Sequence, residues 1–539
     1  MSRLPLGALA LIIASRVIAI ADGRDPGFDQ AMLMSNFPLD SLAQYFRPLP
    51  YFEQATALGS VMELDLVSRI FGAEGLARFT GVRILAAMAA CLGYYLLYRV
   101  MRPSFRSAEI ALILILMASP QETLLFTTNP KNYVNEFLAA CLLIAAAARC
   151  LRKPDVTGVL AFLAASLLAC VFSFLAPVLL VAAGGGLAVA TLLRNGPGAS
   201  RETARLAGLA LPALGLSALF YLFFTRIVTM PDQSAYADRY ATTFVDLWNL
   251  RSAGNAEAAE NILRVLFLMV APSYLDAILF RAGLISGLPA LYAIFAFIAL
   301  VGLPAYFRRS KLLAGGLLVG GAAILVLNAA HLLPIASTRH FMFLAPFAVP
   351  SFALGVVAIL QAVFRRIRLS LLTPAIAAIT LAIGAAAVLR AADLENTEVS
   401  AHLDRVAKYD APLWIYYGAQ PSVRALRPEL IARGAPRTLG LLRHETTMSS
   451  WTTQARGREN HLTSEAYYER AATELAGTGP IWLLFAHYWP EAMTEDGLDR
   501  FYRMAEADGR VCRRVGAKGG VLALCALPEE FPAGFVWDD

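Results

Sequence analysis

Apolar residues in this chain gather in long, nearly unbroken blocks instead of recurring at every second or every third to fourth position. The first block runs from Pro5 to Ala21. Others run over 79–98, 107–120, 132–148, 156–172, 174–193, 206–228, 284–306, 312–334, 342–364 and 370–389. Each is close to the length that crosses a bilayer as a helix, so the pattern predicts eleven membrane spans. Polar and apolar positions mix in two long stretches. One is 22–78, with amphipathic segments at 39–47 and 53–71. The other, 391–539, has the patterning of a small α/β domain. There PLWIYYGAQ (412–420) and PIWLLFAHY (480–488) read as buried strands, and 511–527 reads as a hairpin turning at Gly516–Gly520. Helices at 464–476 and 492–508 supply the crossovers.

Charge placement orients the spans. Five short loops carry basic clusters with few acids: Arg99/Arg102/Arg106, Arg149/Arg152/Lys153, Arg194/Arg201/Arg205, Arg308/Arg309/Lys311 and Arg365/Arg366/Arg368. Every second loop has one, which assigns those loops to the cytoplasm and both long polar stretches to the outside. Segment 261–280 is apolar enough to span, but a crossing there would move Arg308/Arg309/Lys311 to the outer side. It therefore reads as an interfacial helix with Arg264, Asp276 and Arg281 at the water edge. Pro5–Ala21, with Arg16 inside it, reads as an uncleaved first span.

Composition agrees. Of 539 residues, 58% are hydrophobic and 16% charged, against roughly 25% charged in soluble domains; a soluble enzyme, a disordered scaffold and a secreted disulfide module are excluded. The net charge of +6 does not point to nucleic acid. Up to Arg390 basic residues outnumber acidic ones 30 to 19, while beyond it acids lead 21 to 16. The basic excess is thus an orientation signal. Cys91, Cys141, Cys150 and Cys170 lie in or beside spans, and Cys512 and Cys525 flank the hairpin, where strand pairing can bring them together. No Cys or His spacing matches a zinc site.

Ionisable groups at a membrane edge are costly and so are functional candidates. Asp22, Arg24, Asp25 and Asp29 follow the first span. Such a cluster can hold metal, act as a base or be solvated loop; Asp29, opening the apolar run FDQAML, is placed for partial desolvation and proton transfer. TTNPKNYVNEF (127–137) sets Lys131, Tyr133 and Glu136 at the entry to the fourth span. Lys131 reads equally as a phosphate-binding cation or an interfacial lysine. STRHFMF (337–343) sets Arg339 and His340 before the tenth span, with His331 one to two turns inside the end of the ninth. FSFLAP (172–177) reads as a tight outer joint. In the external domain Trp414, Tyr416, Tyr417, Trp451, Tyr488 and Trp489 offer aromatic faces, with Trp414 and Tyr416 reading as core.

In this order the motifs resemble the GT-C superfamily of lipid-linked glycosyltransferases, most closely the bacterial relatives of protein O-mannosyltransferases and of lipid A aminoarabinose transferases. FDQAML, residues 48–85, TTNPKNYVNEF, FSFLAP, STRHFMFLAP and PLWIYYGAQPSVRAL carry the likeness, which covers nearly the whole chain. It implies a multi-pass α-helical membrane protein of about eleven spans (1–390) with a C-terminal periplasmic α/β domain (391–539), in a bacterial inner membrane. It further implies transfer of a sugar, with inversion, from a polyprenyl-phosphate donor to a hydroxyl of an envelope glycan, lipid or protein. Asp29 matches the family's base, and Lys131, Arg339 and His340 its donor-phosphate contacts. A divalent metal, Mg or Mn, is the implied cofactor. Gln30 stands where the family commonly has an acid, so Glu53, Asp25 or His331 would have to support it. The alternatives are a non-catalytic subunit of a glycan-assembly complex, a glycan polymerase or ligase, and a flippase.

Overall fold

The computed structural model describes residues 3–21, 25–47, 49, 56–72, 75–129, 131, 133–153, 155–193, 215, 218–219, 244–246, 253–271, 288–335, 338–365, 372–392, 394, 399–431, 438–439, 471–476, 479–486, 495–506, 509–517 and 520–531. Helices in its first part are α1 (Leu4–Ala21), α2 (Phe28–Met34), α3 (Leu58–Phe71), α4 (Leu76–Met101), α5 (Ser107–Ala118), α6 (Gln121–Phe126), α7 (Tyr133–Arg152), α8 (Val156–Phe172) and α9 (Ala176–Leu193). Then come α10 (Ala253–Leu268), α11 (Leu288–Arg309), α12 (Lys311–Ala329), α13 (Ala345–Phe364), α14 (Leu372–Ala391) and α15 (Val399–Val406). The C-terminal part adds β1 (Leu413–Ile415), α16 (Gln420–Leu426), β2 (Thr438–Leu439), β3 (Ile481–Ala486), α17 (Glu495–Ala505), β4 (Val511–Ala517) and β5 (Gly520–Ala526).

Ten of the eleven expected spans are helices at the expected places; the eleventh, 206–228, falls almost wholly outside the described residues. Among the described residues seven helices are long and apolar enough to cross a membrane, and α5, α8 and α9 are shorter apolar helices. The helix expected over 261–280 begins at Ala253 and packs on α11, and Asp276 and Arg281 lie outside the described residues.

The chain divides into two compact units. One comprises Met1–Asp22, Thr56–Val61 and Arg83–Leu394, and the other Gly23–Ala55, Met62–Val82 and Glu395–Asp539. Most of the loop after α1 therefore belongs with the C-terminal residues, whereas the sequence placed it with the membrane part. In the membrane unit α1 buries Ala8, Ile12, Ser15, Arg16 and Ala19 along one face and exposes Leu6, Ile13 and Val17 on another. That is the reverse of a soluble helix and suits lipid. Glycines let α11 and α13 touch backbone to backbone at two points: Gly302 of α11 lies on the Ser351 carbonyl of α13, and Gly355 of α13 on the Ile298 carbonyl of α11. A Cβ has no room at either place, the packing typical of helices in lipid.

The second unit carries a five-stranded mixed sheet in the order β2-β1-β3-β5-β4. β1 runs parallel to β2 and β3, and β5 is antiparallel to β3 and β4. All six residues of β3 are buried, because both faces of a central strand are covered. Trp414, Tyr416, Phe485, Phe501 and Tyr502 form the core on one side, joined by Met32 from α2. Trp414 and Tyr416 are thus core, as their sequence context suggested; Trp451, Tyr488 and Trp489 lie outside the described residues. β4 exposes Arg513 and Arg514, charges that discourage edge-to-edge pairing.

Cys512 and Cys525 face each other across the β4–β5 ladder and form a disulfide. Replacing both by serine is expected to lower the stability of this unit by on the order of 2 kcal/mol. A fall in its thermal midpoint, matched by wild-type protein under reductant, checks this.

Candidate active site

The two units supply different candidate groups. In the sheet-bearing unit Asp29 sits in the first turn of α2, half-buried. This helix is short, and tertiary contacts hold it. Ala31, Met32, Leu33 and Met34 are all buried. Asn36 Nδ2 donates back to the Met32 and Leu33 carbonyls, closing the C-terminal end. Ser35 Oγ donates to the Pro421 carbonyl at 3.1 Å, and α2 packs directly on α16.

Two buried charged groups fix the residues around α2. Arg78 donates through Nη1 to the Phe37 carbonyl at 2.8 Å and through Nη2 to the Ala425 carbonyl in α16. Asp25 accepts from the Ser400 backbone N–H at 2.6 Å and from Ser400 Oγ at 2.5 Å. It acts as a remote N-cap for α15, satisfying a helix-end donor. Both oxygens of Asp25 are therefore engaged in tying the early loop to the C-terminal residues. Asp22, Arg24 and Glu53 lie outside the described residues. Among the described residues no group of three or more His, Cys, Asp or Glu stands as a metal site.

In the membrane unit α6 follows α5 after Ser119 and Pro120. The Thr127 hydroxyl donates to the Thr123 carbonyl at 2.6 Å and the Thr128 hydroxyl to Leu124 at 2.9 Å, winding the chain off α6. Lys131, half-buried, follows just before α7. Tyr133, at the start of α7, stacks edge-on against Phe126 with centroids 5.1 Å apart, and Glu136 is buried one turn later. A 3-10 segment, Thr338–Leu344, packs on α6 and α7 and buries Phe341, Met342 and Phe343. The 3-10 segment that carries Arg339 and His340 is therefore packed on the two helices between which Lys131 lies, although some 200 residues separate them in sequence. Ser173 makes the FSFLAP joint by accepting the Leu175 N–H at 3.0 Å on its hydroxyl, with only two residues between it and the start of α9 at Ala176.

His331 differs from its expected place inside a span. It lies two residues past the end of α12, exposed, with φ of 60°. Its N–H donates to the Asn328 carbonyl, and its ring stacks on Phe244 at 4.7 Å. This is a helix-terminating position.

Arg16 was legible as a charge in the first span but not as a buried one. It is 1% exposed. Nη2 donates to the Ala118 carbonyl at 2.9 Å and reaches the Tyr94 hydroxyl at 3.5 Å, while Nη1 donates to Ser15 Oγ at 2.8 Å. It thereby satisfies a carbonyl at the end of α5, where the chain turns toward α6 and Lys131.

No family model and no curated protein matches the sequence. Among solved structures, the chain is similar to ArnT from Cupriavidus metallidurans bound to undecaprenyl phosphate, with a TM-score of 0.51 and 12% identity over 98% of each chain. It is also similar to the oligosaccharyltransferase of Archaeoglobus fulgidus in complex with zinc and sulfate. There the TM-score is 0.52 and the identity 12%, over 99% of this chain and 74% of that one. The chain shares the fold of these two structures along nearly its whole length. On that fold the multi-pass architecture and the C-terminal sheet domain read from the sequence both stand.

Asp65 in α3 gives the loop a pH-dependent clasp. Burial disfavours its charge, but Arg69 at 2.8 Å, the Tyr45 hydroxyl and the Leu39 N–H at 2.7 Å together hold its carboxyl below the ordinary range. A depressed folded pKa contributes stability that is complete above the unfolded pKa and is lost as pH falls through the folded one. Thermal midpoints of the wild type should start to drop as pH falls through the ordinary carboxylate range, below roughly pH 5, and keep dropping as Asp65 is protonated. Asp65→Asn should melt lower at neutral pH and show a shallower acid dependence.

Proposed function

We propose that this protein transfers a sugar from a polyprenyl-phosphate donor to an acceptor hydroxyl at the outer face of a bacterial inner membrane. The observation that carries the reading is the end-to-end fold likeness to ArnT, a protein seen bound to undecaprenyl phosphate. Fold alone does not fix chemistry; the groups at Asp29 and around Lys131 support the assignment. Asp29 is a half-buried carboxylate on a braced helix. The 3-10 segment that carries Arg339 and His340 packs on α6 and α7, the two helices between which Lys131 lies.

In the proposed reaction the acceptor oxygen attacks the anomeric carbon as its proton passes to Asp29. The bond between the anomeric carbon and the phosphate oxygen breaks, its electron pair leaving with the polyprenyl phosphate. Attack opposite the leaving group inverts the configuration. Lys131 with Arg339 and His340 supports the charge that accumulates on the departing phosphate. The membrane spans keep the isoprenoid in lipid, where such a donor is accessible without a nucleotide sugar. The acceptor class is an envelope glycan, lipid or protein. No step here is routed through a metal.

Complementation of a deletion strain tests the reading, with envelope glycans profiled by mass spectrometry. The deletion should lose one glycan substituent and the wild-type gene should restore it. Asp29→Asn should restore less than about one part in 100, the scale of a lost general base. Lys131→Met should fall by a comparable factor. Full restoration by Asp29→Asn would instead favour a non-catalytic assembly subunit.

A further inference from the structure

Span α4 divides lengthwise into two faces. Ala86, Ala90, Tyr94, Leu97 and Met101 recur at helical spacing and are all buried. On the opposite side Ile84, Met88, Leu92 and Tyr95 are exposed, and the same stripe continues through Arg99 and Arg102, exposed as well. Spacings of three and four residues keep these six in one line. The inner face meets its neighbour at close range. Gly93 lies on the ring of Phe137 with no room for a Cβ, and the Tyr94 ring packs on Phe137 with centroids 4.9 Å apart.

The outer stripe changes chemistry along its length. Ile84, Met88 and Leu92 are hydrocarbon, Tyr95 adds a ring and a hydroxyl, and Arg99 and Arg102 are cations. Ile84 and Tyr95 stand about 16 Å apart along the axis, close to the roughly 15 Å depth of one leaflet's acyl layer. The two arginines then lie at headgroup depth on the side of the basic loops. Arg99 is preorganised there. Its Nη1 donates to the Tyr95 hydroxyl at 2.9 Å, and its guanidinium lies over the Tyr95 ring, 5.8 Å from the centroid. Tyr98 stands beside Tyr95, with centroids 6.4 Å apart. A guanidinium so held offers a fork of donors that matches a phosphate. Positive charge is in excess along this stretch, since no acid occurs between Arg83 and Ala108. Glu109 follows at the start of α5, buried, and accepts from Arg309 Nη2 and from the Arg106 N–H, each at 2.8 Å.

We infer that the outer stripe of α4 is a binding site for one anionic phospholipid, its phosphate on Arg99 and Arg102 and an acyl chain along Leu92, Met88 and Ile84. Charge complementarity selects the occupant. The apolar part of the stripe accepts any acyl chain, whereas two arginines at its end favour a headgroup of net negative charge over a zwitterionic one. Tyr95 serves both parts, its ring at the boundary and its hydroxyl holding Arg99. A lipid held this way braces the outer side of a helix whose inner side rests on Phe137. The site stands on the membrane spans and is independent of the proposed reaction.

Native mass spectrometry of the full chain in detergent tests the site, with phosphatidylglycerol and phosphatidylcholine of matched acyl chains as probes. The wild type should retain phosphatidylglycerol over phosphatidylcholine by on the order of ten-fold. Arg99→Gln combined with Arg102→Gln should abolish that preference. Arg99→Lys, which keeps the charge and loses the fork, should lower it. Arg149→Gln combined with Arg152→Gln removes equal charge from another basic loop and should leave it unchanged. Inorganic phosphate in excess should not displace the lipid. Gel filtration verifies the fold of each variant; Arg99 and Arg102 are exposed, so their loss disturbs no core. Equal losses in the two double variants would overturn the site in favour of diffuse attraction. Equal retention of both lipids by the wild type would overturn it too, and displacement by inorganic phosphate would replace it with a free-ion site.

Discussion

The arrangement around Asp29 depends on one buried cation. Arg78, 1% exposed, bridges the Phe37 carbonyl just past α2 and the Ala425 carbonyl of α16. A guanidinium in such a place is costly unless its donors are taken, and both terminal nitrogens are. The bridge converts a loop after a membrane span into part of a sheet domain that lies more than 300 residues away in sequence. Ser35 and Asp25 add independent ties to Pro421 and Ser400, and Met32 inserts into the Trp414–Phe485 core. Asp29 thus rides on a rigid element, as a group that must take a proton at a fixed place requires.

The membrane unit solves the matching problem by different means. Its helices meet through glycines and through the buried Arg16. Arg16 spends its charge on the Ala118 carbonyl and on Ser15, at the corner that leads into α6. The threonine pair Thr127 and Thr128 then unwinds the helix toward Lys131. Packing of Thr338–Leu344 on α6 and α7 brings a late segment to an early one. In each unit the polar groups that matter to architecture are engaged with the backbone, leaving the candidate reacting groups on braced segments.

The sequence disclosed more of the fold than of the site, and the reasons are physical. Hydrophobic blocks of span length and basic loops of alternating position are local signals, so ten helices emerged where expected. The hairpin over 511–527 was legible from its glycines and apolar alternation, and strand pairing then set Cys512 opposite Cys525. Long-range ties leave no local trace. Asp25 read as a candidate ligand or solvated loop and proved to be the cap of a distant helix, because nothing near it in sequence names Ser400 as its partner. His331 read as part of a span; a histidine with positive φ that ends a helix has no hydrophobic signature to mark it. Arg78 was invisible for the same reason, and with it the fact that loop one folds with the C-terminal residues.

Hydrogen–deuterium exchange on Arg78→Met most directly probes whether the helix of Asp29 and α16 form one cooperative element. Amides of 28–34 and of 420–426 should lose protection together, by a similar factor of at least ten relative to the wild type, while those of α7 stay unchanged. Faster exchange confined to 420–426, with 28–34 as protected as before, would contradict the account.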